Sequence, residues 1–439
     1  MNLKKLAAIA GDFLHTNSAF LTSGAQRARL REALKVDGFD RRRDALIRED
    51  ELAAPLTATP YARLAETSLA LTGIRIDQDA PPMLNLVIGE VRTAGVFAGV
   101  HTALTAAARL ADILGVGLRI VMLDPTSTDN SRAAAEKAAR PIVGSTRLVV
   151  VTRETIRAEP YSASDYWLAT HSKTAHAVQV ACDIGVIDRS RVAYLIQDYE
   201  PGFTAWSTES VLAEATYRAG FVPIVNSTPL WMHLNEAGLD VPRELVFAPT
   251  FESTRLQQAA ALRERTPGAR VLFYGRRSKH RNLFALGVSA LKAATVELGA
   301  DAAQTEFYSL GEQHDDVPLG NGAVLRSKGR LAWDEYFRFL ATVDVALSLQ
   351  QSPHPSHPPF DAAISGAHAV TNDFGGGRSA LHPRISAVSA DTPSLGAALV
   401  QAIRNARDAE PAGYLPVADG LLGSDLDDAL RRAAVRLAS

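Results

Sequence analysis

The chain has 439 residues and a mass of 47.0 kDa, with 47% hydrophobic and 21% charged residues. This length and composition predict two or three domains with sizeable hydrophobic cores and exclude a disordered chain. The 46 basic and 48 acidic residues give a formal net charge of −2, which argues against a general nucleic-acid-binding protein. The single cysteine, Cys182, cannot form an internal disulfide, and no Cys/His cluster predicts a metal finger, so we expect a reducing compartment.

Residues 1–80 differ from the rest of the sequence and predict a helical extension. Lys4 and Lys5 precede a short apolar stretch that Asp12 interrupts, which favours an amphipathic helix over a signal peptide. The mixed charges at 26–51 are typical of a solvated helical face, and contact with a partner enzyme or an anionic membrane is the alternative. No apolar run approaches the roughly 20 residues that a membrane-spanning helix needs. We therefore expect a cytoplasmic protein, with peripheral contact at the inner face of the membrane as an option for this extension.

From residue 84 onward, short apolar strands alternate with amphipathic helices. The predicted strands lie at 84–91, 118–123, 147–152, 166–170, 192–197 and 222–226, and the predicted helices lie at 99–114, 131–139, 173–184 and 208–219. Continuous β-branched runs, each followed by a helix, predict a parallel sheet that is covered on both faces. We assign this doubly wound α/β domain to residues 81–241.

A second series of the same kind follows, and we assign it to residues 242–420. Its predicted strands lie at 244–248, 270–274, 306–310, 323–326, 344–349 and 368–371, and its predicted helices lie at 282–298, 333–341, 360–365 and 394–407. A last amphipathic helix at 424–437 occupies the segment 421–439. The pattern thus predicts two Rossmann-like domains in tandem, and because ligands bind beyond the carboxyl ends of such strands, two facing domains would form one cleft.

Small residues follow the first strand of the first domain, where the loop 92–101 contains Ala98 and Gly99. Small residues at a strand-to-helix turn let the backbone approach a ligand, and a helix N-terminus favours an anion, although a plain tight turn explains the pattern equally well. The loop matches neither GxGxxG nor GxxxxGK[ST], so nicotinamide cofactors and P-loop chemistry lose support. We keep Ala98 and Gly99 as candidates for acceptor binding.

Carboxylates and aromatic residues follow the predicted strand that ends at Gln197. Asp198, Tyr199 and Glu200 come next, and Trp206 lies close behind. Carboxylates hydrogen-bond to sugar hydroxyls and can orient or deprotonate an acceptor, while aromatic faces stack on sugar rings. The structural alternative is that the acids cap the helix that follows. We predict that these five residues bind an acceptor and that Asp198 and Glu200 are catalytic.

A basic loop occupies the matching position in the second domain. Gly275 ends a strand, and Arg276, Arg277, Lys279 and Arg281 then precede a helix. Cations beside a helix N-terminus predict an anion site suited to a diphosphate leaving group, whereas most charge runs are only solvated surfaces. We predict that Gly275, Arg276, Lys279 and Arg281 bind a donor and that Arg276 is catalytic.

Two later segments also follow predicted strands. Lys328 and Gly329 could reach a second phosphate, with an ordinary exposed lysine as the alternative, and Asp361 near a helix N-terminus could bind ribose hydroxyls. His354 and His357 are three residues apart, but the prolines between them preclude a helical pair and no third ligand is obvious. We therefore predict no metal site and no cofactor other than a substrate.

With these residues assembled, the chain resembles the GT-B glycosyltransferases of family 4, and among them the WsaF-like bacterial rhamnosyltransferases associated with S-layer glycan assembly. The likeness spans about 84–430. Its most specific stretches are 194–201 together with 213–217, 274–283, and 356–372. The resemblance implies the GT-B fold, two Rossmann-like domains facing across a cleft. It also implies a nucleotide-sugar donor held by the second domain, a glycan or lipid-linked glycan acceptor held by the first, and transfer with retention of configuration.

The resemblance also implies roles for particular residues. Arg276 and Lys328 would bind the donor diphosphate, with Arg281 as a helper. Asp361 falls where family members place a ribose-binding glutamate, so the carboxylate is kept but shortened. The first glutamate of the family's EX7E pattern would fall at Pro353 and is absent. The likeness suggests dTDP-β-L-rhamnose as donor.

These assignments predict a metal-independent reaction. Arg276, Arg281 and Lys328 would stabilise the charge that develops on the leaving diphosphate, consistent with the absence of a DxD motif. Two alternatives remain open. One is a sugar-nucleotide epimerase, for which His171 and His280 are available, and the other is a non-catalytic glycan-binding protein that has kept the fold.

Overall fold

The computed structural model describes residues 67–91, 98–124, 127, 129–144, 146–264 and 268–438, with the backbone alone at Ala98 and Asp129. Most of the predicted N-terminal extension, residues 1–66, lies outside the described residues, as does 92–97 of the loop after the first strand. Residues 68–439 belong to one compact unit.

The first domain is a parallel sheet with helices on both faces. Its strands are β1 (Arg75–Ile76), β2 (Met83–Ile88), β3 (Gly117–Met122), β4 (Leu148–Val151), β5 (Pro160–Tyr161), β6 (Tyr166–Ala169), β7 (Val192–Ile196), β8 (Val222–Asn226) and β9 (Val246–Phe247). Its helices are α1 (Ala98–Leu114), α2 (Asp129–Val143), α3 (Ser172–Asp183), α4 (Thr208–Thr216) and α5 (Thr228–Glu236). Seven strands form the sheet in the order β4-β3-β2-β6-β7-β8-β9, while β1 and β5 pair separately.

The second domain repeats this plan. Its strands are β10 (Ala269–Gly275), β11 (Thr305–Gly311), β12 (Val317–Gly320), β13 (Ala323–Ser327), β14 (Val345–Ser348), β15 (His368–Asn372) and β16 (Ile385–Val388). Its helices are α6 (Ser253–Ala261), α7 (Phe284–Leu298), α8 (Trp333–Leu340), α9 (Pro358–Ile364) and α10 (Thr392–Asp408), and α11 (Leu426–Leu437) follows. The order is β12-β13-β11-β10-β14-β15-β16, with only β12 antiparallel to its neighbour.

Burial on both faces explains why the strands are continuous apolar runs. In β2, Leu86 packs with the residues of α1 on one face, whereas Val87 packs with the cluster on the other face. Every residue of β2 is buried. Burying one such side chain stabilises the fold by about 1.5–3 kcal/mol. Both sheets reverse their strand order beside their first strand, between β2 and β6 and between β10 and β14, where ligands bind in doubly wound folds.

One prediction about the domain junction needs correction. The strand predicted at 244–248 opens the second domain in our assignment, but β9 pairs with β8 and completes the first sheet. A two-residue apolar strand carries no pattern that shows which sheet it joins. The helix after the second domain also returns to the first, because Leu426 and Leu430 of α11 are buried with the core around α1.

Helix α7 and its flanking turns, His280–Gln304, form the one helical stretch in the described part of the chain that is long and apolar enough to cross a membrane. The stretch has 25 residues, and an 18-residue window within it has a mean hydropathy of 1.4. Its Ala290, Leu291 and Ala294 are fully buried in the core of the second domain. A core helix of an α/β domain meets the same criteria of length and composition.

Candidate active site

The predicted basic loop lies at the carboxyl end of β10, beside the point where the strand order reverses. The Arg276 Nε donates a hydrogen bond to Asn282 Oδ1 at 2.9 Å, and its guanidinium lies 6.0 Å from the centre of the Tyr274 ring. Its two terminal nitrogens make no hydrogen bond or ion pair with the described residues. Arg277 and Lys279 are exposed on the same loop. Arg276 is thus oriented by one amide while its outer donors are left for an anion.

Glycine is required where this loop begins. A Cβ atom on Gly275 would lie 2.8 Å from the ring of Phe273 and 2.9 Å from that of Phe284. Gly275 is paired in register with Gly311 of β11, whose amide donates to the Gly329 carbonyl at 2.9 Å. The two candidate segments at Gly275 and Gly329 therefore meet at the same edge of the sheet, with Gly311 between them.

Lys328 lies at this edge but rests on aromatic rings. Its ammonium is 4.7 Å from the centre of the Tyr308 ring and 5.4 Å from that of Phe339. Glu312, beside the basic loop, accepts a hydrogen bond from the Ser278 amide at 2.8 Å. That hydrogen bond, together with the nearby Arg276, lowers the pKa of Glu312. A donor diphosphate would have to draw Lys328 away from the rings.

Arg281 reaches the first domain. Its Nε lies 4.0 Å from Asp198 Oδ2, and its guanidinium stacks 4.1 Å above the Phe203 ring. Burial lowers the pKa of Arg281, partly offset by the Asp198 carboxylate. The structure therefore brings a predicted donor-binding residue and a predicted acceptor-binding residue together.

Asp198 follows β7 and lies between the two sheets. Its Oδ1 accepts hydrogen bonds from the Ser352 hydroxyl of the second domain and from the Tyr199 amide at 2.9 Å. Burial raises the pKa of Asp198, and the hydrogen bond from Ser352 and the charge of Arg281 oppose that rise. A carboxylate held in this way has a fixed direction into the cleft.

Glu200 faces away from this cluster. It is 7% exposed, and its Oε2 accepts a hydrogen bond from the Ser172 amide at the start of α3 and lies 3.4 Å from His171 Nδ1. Burial raises its pKa. The alternative that this acid caps the following helix is wrong, because Ser207 caps α4. Glu200 instead accepts a hydrogen bond from a free backbone N–H at the N-terminus of α3.

Some of the other acceptor candidates contact one another, and others stand apart. Gln197 Nε2 donates a hydrogen bond to the Gly99 carbonyl at 3.1 Å, so the end of β7 contacts the first turn of α1. Tyr199 packs edge-on against His233 at 4.5 Å. Trp206 is fully exposed and stands apart from these contacts. Ala98 begins α1.

Asp361 lies in the first turn of α9 and is 8% exposed. Its Oδ2 accepts a hydrogen bond from the Tyr336 hydroxyl at 3.0 Å. Burial raises the pKa of this carboxyl from 3.8 to about 7. The shortened carboxylate is therefore buried and hydrogen-bonded to a tyrosine.

The two histidines of the proline-rich loop have separate surroundings. Their ring centres are 6.5 Å apart. His354 Nδ1 accepts a hydrogen bond from the Ser356 amide, and burial lowers the pKa of His354 to about 4. Within the described ranges, no three His, Cys, Asp or Glu residues are grouped to hold a metal ion. His171 caps α3, and His280 is exposed in the turn before α7.

Sequence reasoning missed Arg378, a buried cation at the same sheet edge. Its Nη1 donates to the carbonyls of Gln350 at 3.0 Å and Asn372 at 2.7 Å, and its Nη2 donates to the Ser352 carbonyl. Burial lowers its pKa to about 10. The available signal was a polar residue directly at the end of each of two apolar strands, Gln350 after β14 and Asn372 in β15.

Comparison with known families matches both domains. The family model described as "WsaF, N-terminal domain" matches residues 83–228, and that described as "WsaF, C-terminal domain" matches residues 269–400. Together the two matches cover more than half of the chain and contain most of the cluster described above.

Among curated proteins, the chain is 31% identical over 282 residues to the O-antigen biosynthesis protein RfbC of Myxococcus xanthus. The match covers 63% of this chain and 21% of that protein, so the chain spans about a fifth of its relative.

Two solved structures have a TM-score of 0.50. Anabaena Alr3699/HepE in complex with UDP-glucose is 13% identical, with 81% of this chain and 95% of that chain covered. The N-terminal domain of Candida albicans trehalose-6-phosphate phosphatase is 9% identical, with 82% and 94% covered. These likenesses confirm the predicted GT-B arrangement of two Rossmann-like domains, and at such identity they show the fold alone.

Proposed function

We propose that this chain, which belongs to the WsaF family and has the GT-B glycosyltransferase fold, transfers a sugar from a nucleoside-diphosphate donor to a glycan hydroxyl. One observation carries the proposal. Asp198 at the end of β7 meets Ser352 and Arg281 of the second domain, so a group able to orient an acceptor adjoins cations able to hold a diphosphate. An acceptor hydroxyl and a donor bound at these two sheet edges would be neighbours.

The donor diphosphate binds to Arg276, Arg281 and Lys328. As the bond between the sugar C1 and the phosphate oxygen breaks, the electron pair passes to the diphosphate and positive charge develops on the sugar. Preorganised cations stabilise the growing negative charge most strongly where water is excluded. The outer nitrogens of Arg276, which have no partner in the described part of the chain, support this role. Three cations can neutralise the diphosphate without a divalent ion, so we expect activity in the presence of EDTA.

The acceptor binds to the first domain, where Gln197, Asp198 and Tyr199 line the end of β7. Asp198 orients the acceptor hydroxyl by accepting its hydrogen bond. The acceptor oxygen bonds to C1 on the face that the diphosphate leaves, and its proton passes to a leaving phosphate oxygen. This route retains the anomeric configuration and needs no nucleophile from the protein. Glu200 supports the site indirectly by fixing the start of α3 beside β7.

The finer assignments rest on resemblance. L-rhamnose from dTDP-β-L-rhamnose as the transferred sugar follows only from the sequence resemblance to WsaF-like rhamnosyltransferases. The matched relative, an O-antigen biosynthesis protein, supports a polysaccharide or lipid-linked glycan as the acceptor. We place the reaction in the cytoplasm, with peripheral contact at the membrane where a lipid-linked glycan would be reached.

A thermal-shift titration of the full chain in EDTA tests the donor assignment with dTDP, UDP, GDP and dTDP-rhamnose. A ligand at 100 times its dissociation constant raises the free energy of unfolding by about 2.7 kcal/mol. We expect shifts with dTDP and dTDP-rhamnose, followed by release of dTDP when a glycan acceptor is added. A shift with UDP or GDP alone would exclude the rhamnose donor, and no shift with any of them would favour the non-catalytic alternative.

A further inference from the structure

A network of buried, hydrogen-bonded amide side chains lies beneath the candidate site, at the carboxyl ends of β10, β14 and β15. Arg276 Nε donates to Asn282 Oδ1 at 2.9 Å, and Asn282 Nδ2 donates to Gln350 Oε1 at 2.8 Å. Asn372 Oδ1 accepts a hydrogen bond from the backbone N–H of Gln350 at 2.8 Å, and Asn372 Nδ2 donates to the backbone carbonyl of Gln350 at 3.1 Å. Arg378 completes the network by donating hydrogen bonds to the backbone carbonyls of Gln350 and Asn372.

The chemistry of the end residue fixes the orientation of each amide. An arginine nitrogen can only donate, so the atom of Asn282 that faces Arg276 is its oxygen. The Nδ2 of Asn282 must then face an acceptor, which is the side-chain oxygen of Gln350. The residues Asn282, Gln350, Asn372 and Arg378 are 2%, 5%, 0% and 3% exposed. These groups are therefore shielded from solvent, and losing one partner leaves a buried polar group without its hydrogen bond.

This network of hydrogen bonds connects two parts of the candidate site. One end holds Arg276, which the proposed function assigns to the donor diphosphate. The other end holds Arg378, whose Nη2 donates to the carbonyl of Ser352, the residue that contacts Asp198. The loop after β10 is also tied to the loop after β14 by the Gln351 amide, which donates to the Arg281 carbonyl at 2.7 Å. Buried groups of the second domain thus set the spacing between the Arg276 guanidinium and the Asp198 carboxylate.

We propose that Asn282, Gln350 and Asn372 are positioning residues that hold the Arg276 guanidinium in its diphosphate-binding orientation. The proposal rests on the proposed function, since it assigns these amides a role through a donor-binding arginine. Without Asn282 the Arg276 side chain keeps its charge but loses the hydrogen bond that directs its outer nitrogens. Diphosphate affinity then falls because the side chain must be ordered again on binding.

A double-mutant cycle with dTDP and UDP tests the proposal. Dissociation constants are measured calorimetrically for the wild type, Asn282→Ala, Arg276→Ala and the double variant. We expect Asn282→Ala to weaken binding by about two- to tenfold in the presence of Arg276, which is the range for the net contribution of one hydrogen bond. In the Arg276→Ala background the same change should have no further effect.

Asn85→Ala is the matched control, since Asn85 is a fully buried amide in a polar network of the first domain. It should lower the denaturation midpoint in urea but leave both dissociation constants unchanged. Should Asn282→Ala fail to fold, Gln350→Ala removes the acceptor of Asn282 and enters the same cycle. Equal weakening in both Arg276 backgrounds would overturn the positioning role alone. Unchanged binding in Arg276→Ala would overturn the donor site itself, and the positioning role with it.

Discussion

The hydroxyl of Ser352, in the loop after β14, donates a hydrogen bond to the carboxylate of Asp198 at the end of β7. The second oxygen of that carboxylate lies 4.0 Å from Arg281 Nε. Two contacts from the second domain therefore fix the direction of a carboxylate that belongs to the first. In the proposed function, this relationship ties the positioning of the acceptor to the loops that would hold the donor.

Asp198→Asn should lower turnover while leaving donor affinity nearly unchanged. The amide keeps an acceptor for Ser352 but loses the charge that orients an acceptor hydroxyl, and a misplaced reacting group can cost about 10²-fold in rate. We expect kcat to fall by roughly 10²-fold, with the nucleotide dissociation constant within about twofold of wild type. Steady-state kinetics together with calorimetry measure both quantities. Full turnover in this variant would exclude Asp198 from the reaction.

The raised pKa of Asp361 predicts a pH-dependent stability. Its pKa is about 7 in the folded protein and 3.8 ordinarily, so between these values the folded chain binds a proton that the unfolded chain has released. Its stabilising contribution is complete below about pH 4 and is lost as the pH rises through about 7. We expect the free energy of unfolding to fall by up to about 4 kcal/mol across this window relative to Asp361→Asn, which cannot titrate. Urea denaturation from pH 4 to 8 tests this, and parallel curves for the two proteins would contradict it.

The same carboxyl predicts a pH-dependent donor affinity. The 3′-hydroxyl of the donor's deoxyribose donates to an ionised carboxylate more strongly than to a protonated one. The affinity for an intact nucleotide sugar, whose phosphates do not titrate in this range, should therefore rise as the pH increases through about 7. Asp361→Asn should flatten that rise, and an unchanged slope would remove Asp361 from the donor site.

The buried ion pair of the first domain should contribute to stability but not to catalysis. Arg119 Nη1 and Asp165 Oδ2 are 3.0 Å apart with side chains 5% and 0% exposed. Asp165→Asn leaves the buried guanidinium uncompensated and should cost about 3–5 kcal/mol of unfolding free energy. Asp427→Asn, which breaks the exposed pair with Arg109, should cost less than about 1 kcal/mol. Equal costs in urea denaturation would contradict this account.

The strands could be predicted because burial on both faces demands continuous apolar runs, as Leu86 and Val87 of β2 illustrate. The basic loop could be placed at a sheet edge because it directly follows such a run. The segment around β9 was assigned to the wrong sheet because pairing, and not pattern, decides where two apolar residues go.

The amides beneath the site could not be predicted, since their meaning lies in partners far along the chain. Asn282 and Gln350 are 68 residues apart and hydrogen-bonded. In the sequence each is an isolated polar residue beside a strand or helix end, where an exposed side chain is the usual expectation. The partner of Glu200 was missed for the same reason, because α3 begins 28 residues earlier.

The central claim is that cations of the second domain, above all the preorganised Arg276, hold the donor diphosphate. The most direct measurement is kcat/KM for nucleotide-sugar transfer by Arg276→Ala beside Arg277→Ala, an exposed neighbour of equal charge. We predict a loss of roughly 10²-fold or more for Arg276→Ala and a change within about threefold for Arg277→Ala, because only the first side chain is oriented by a buried amide. Undiminished transfer by Arg276→Ala, or equal losses in the two variants, would contradict the account.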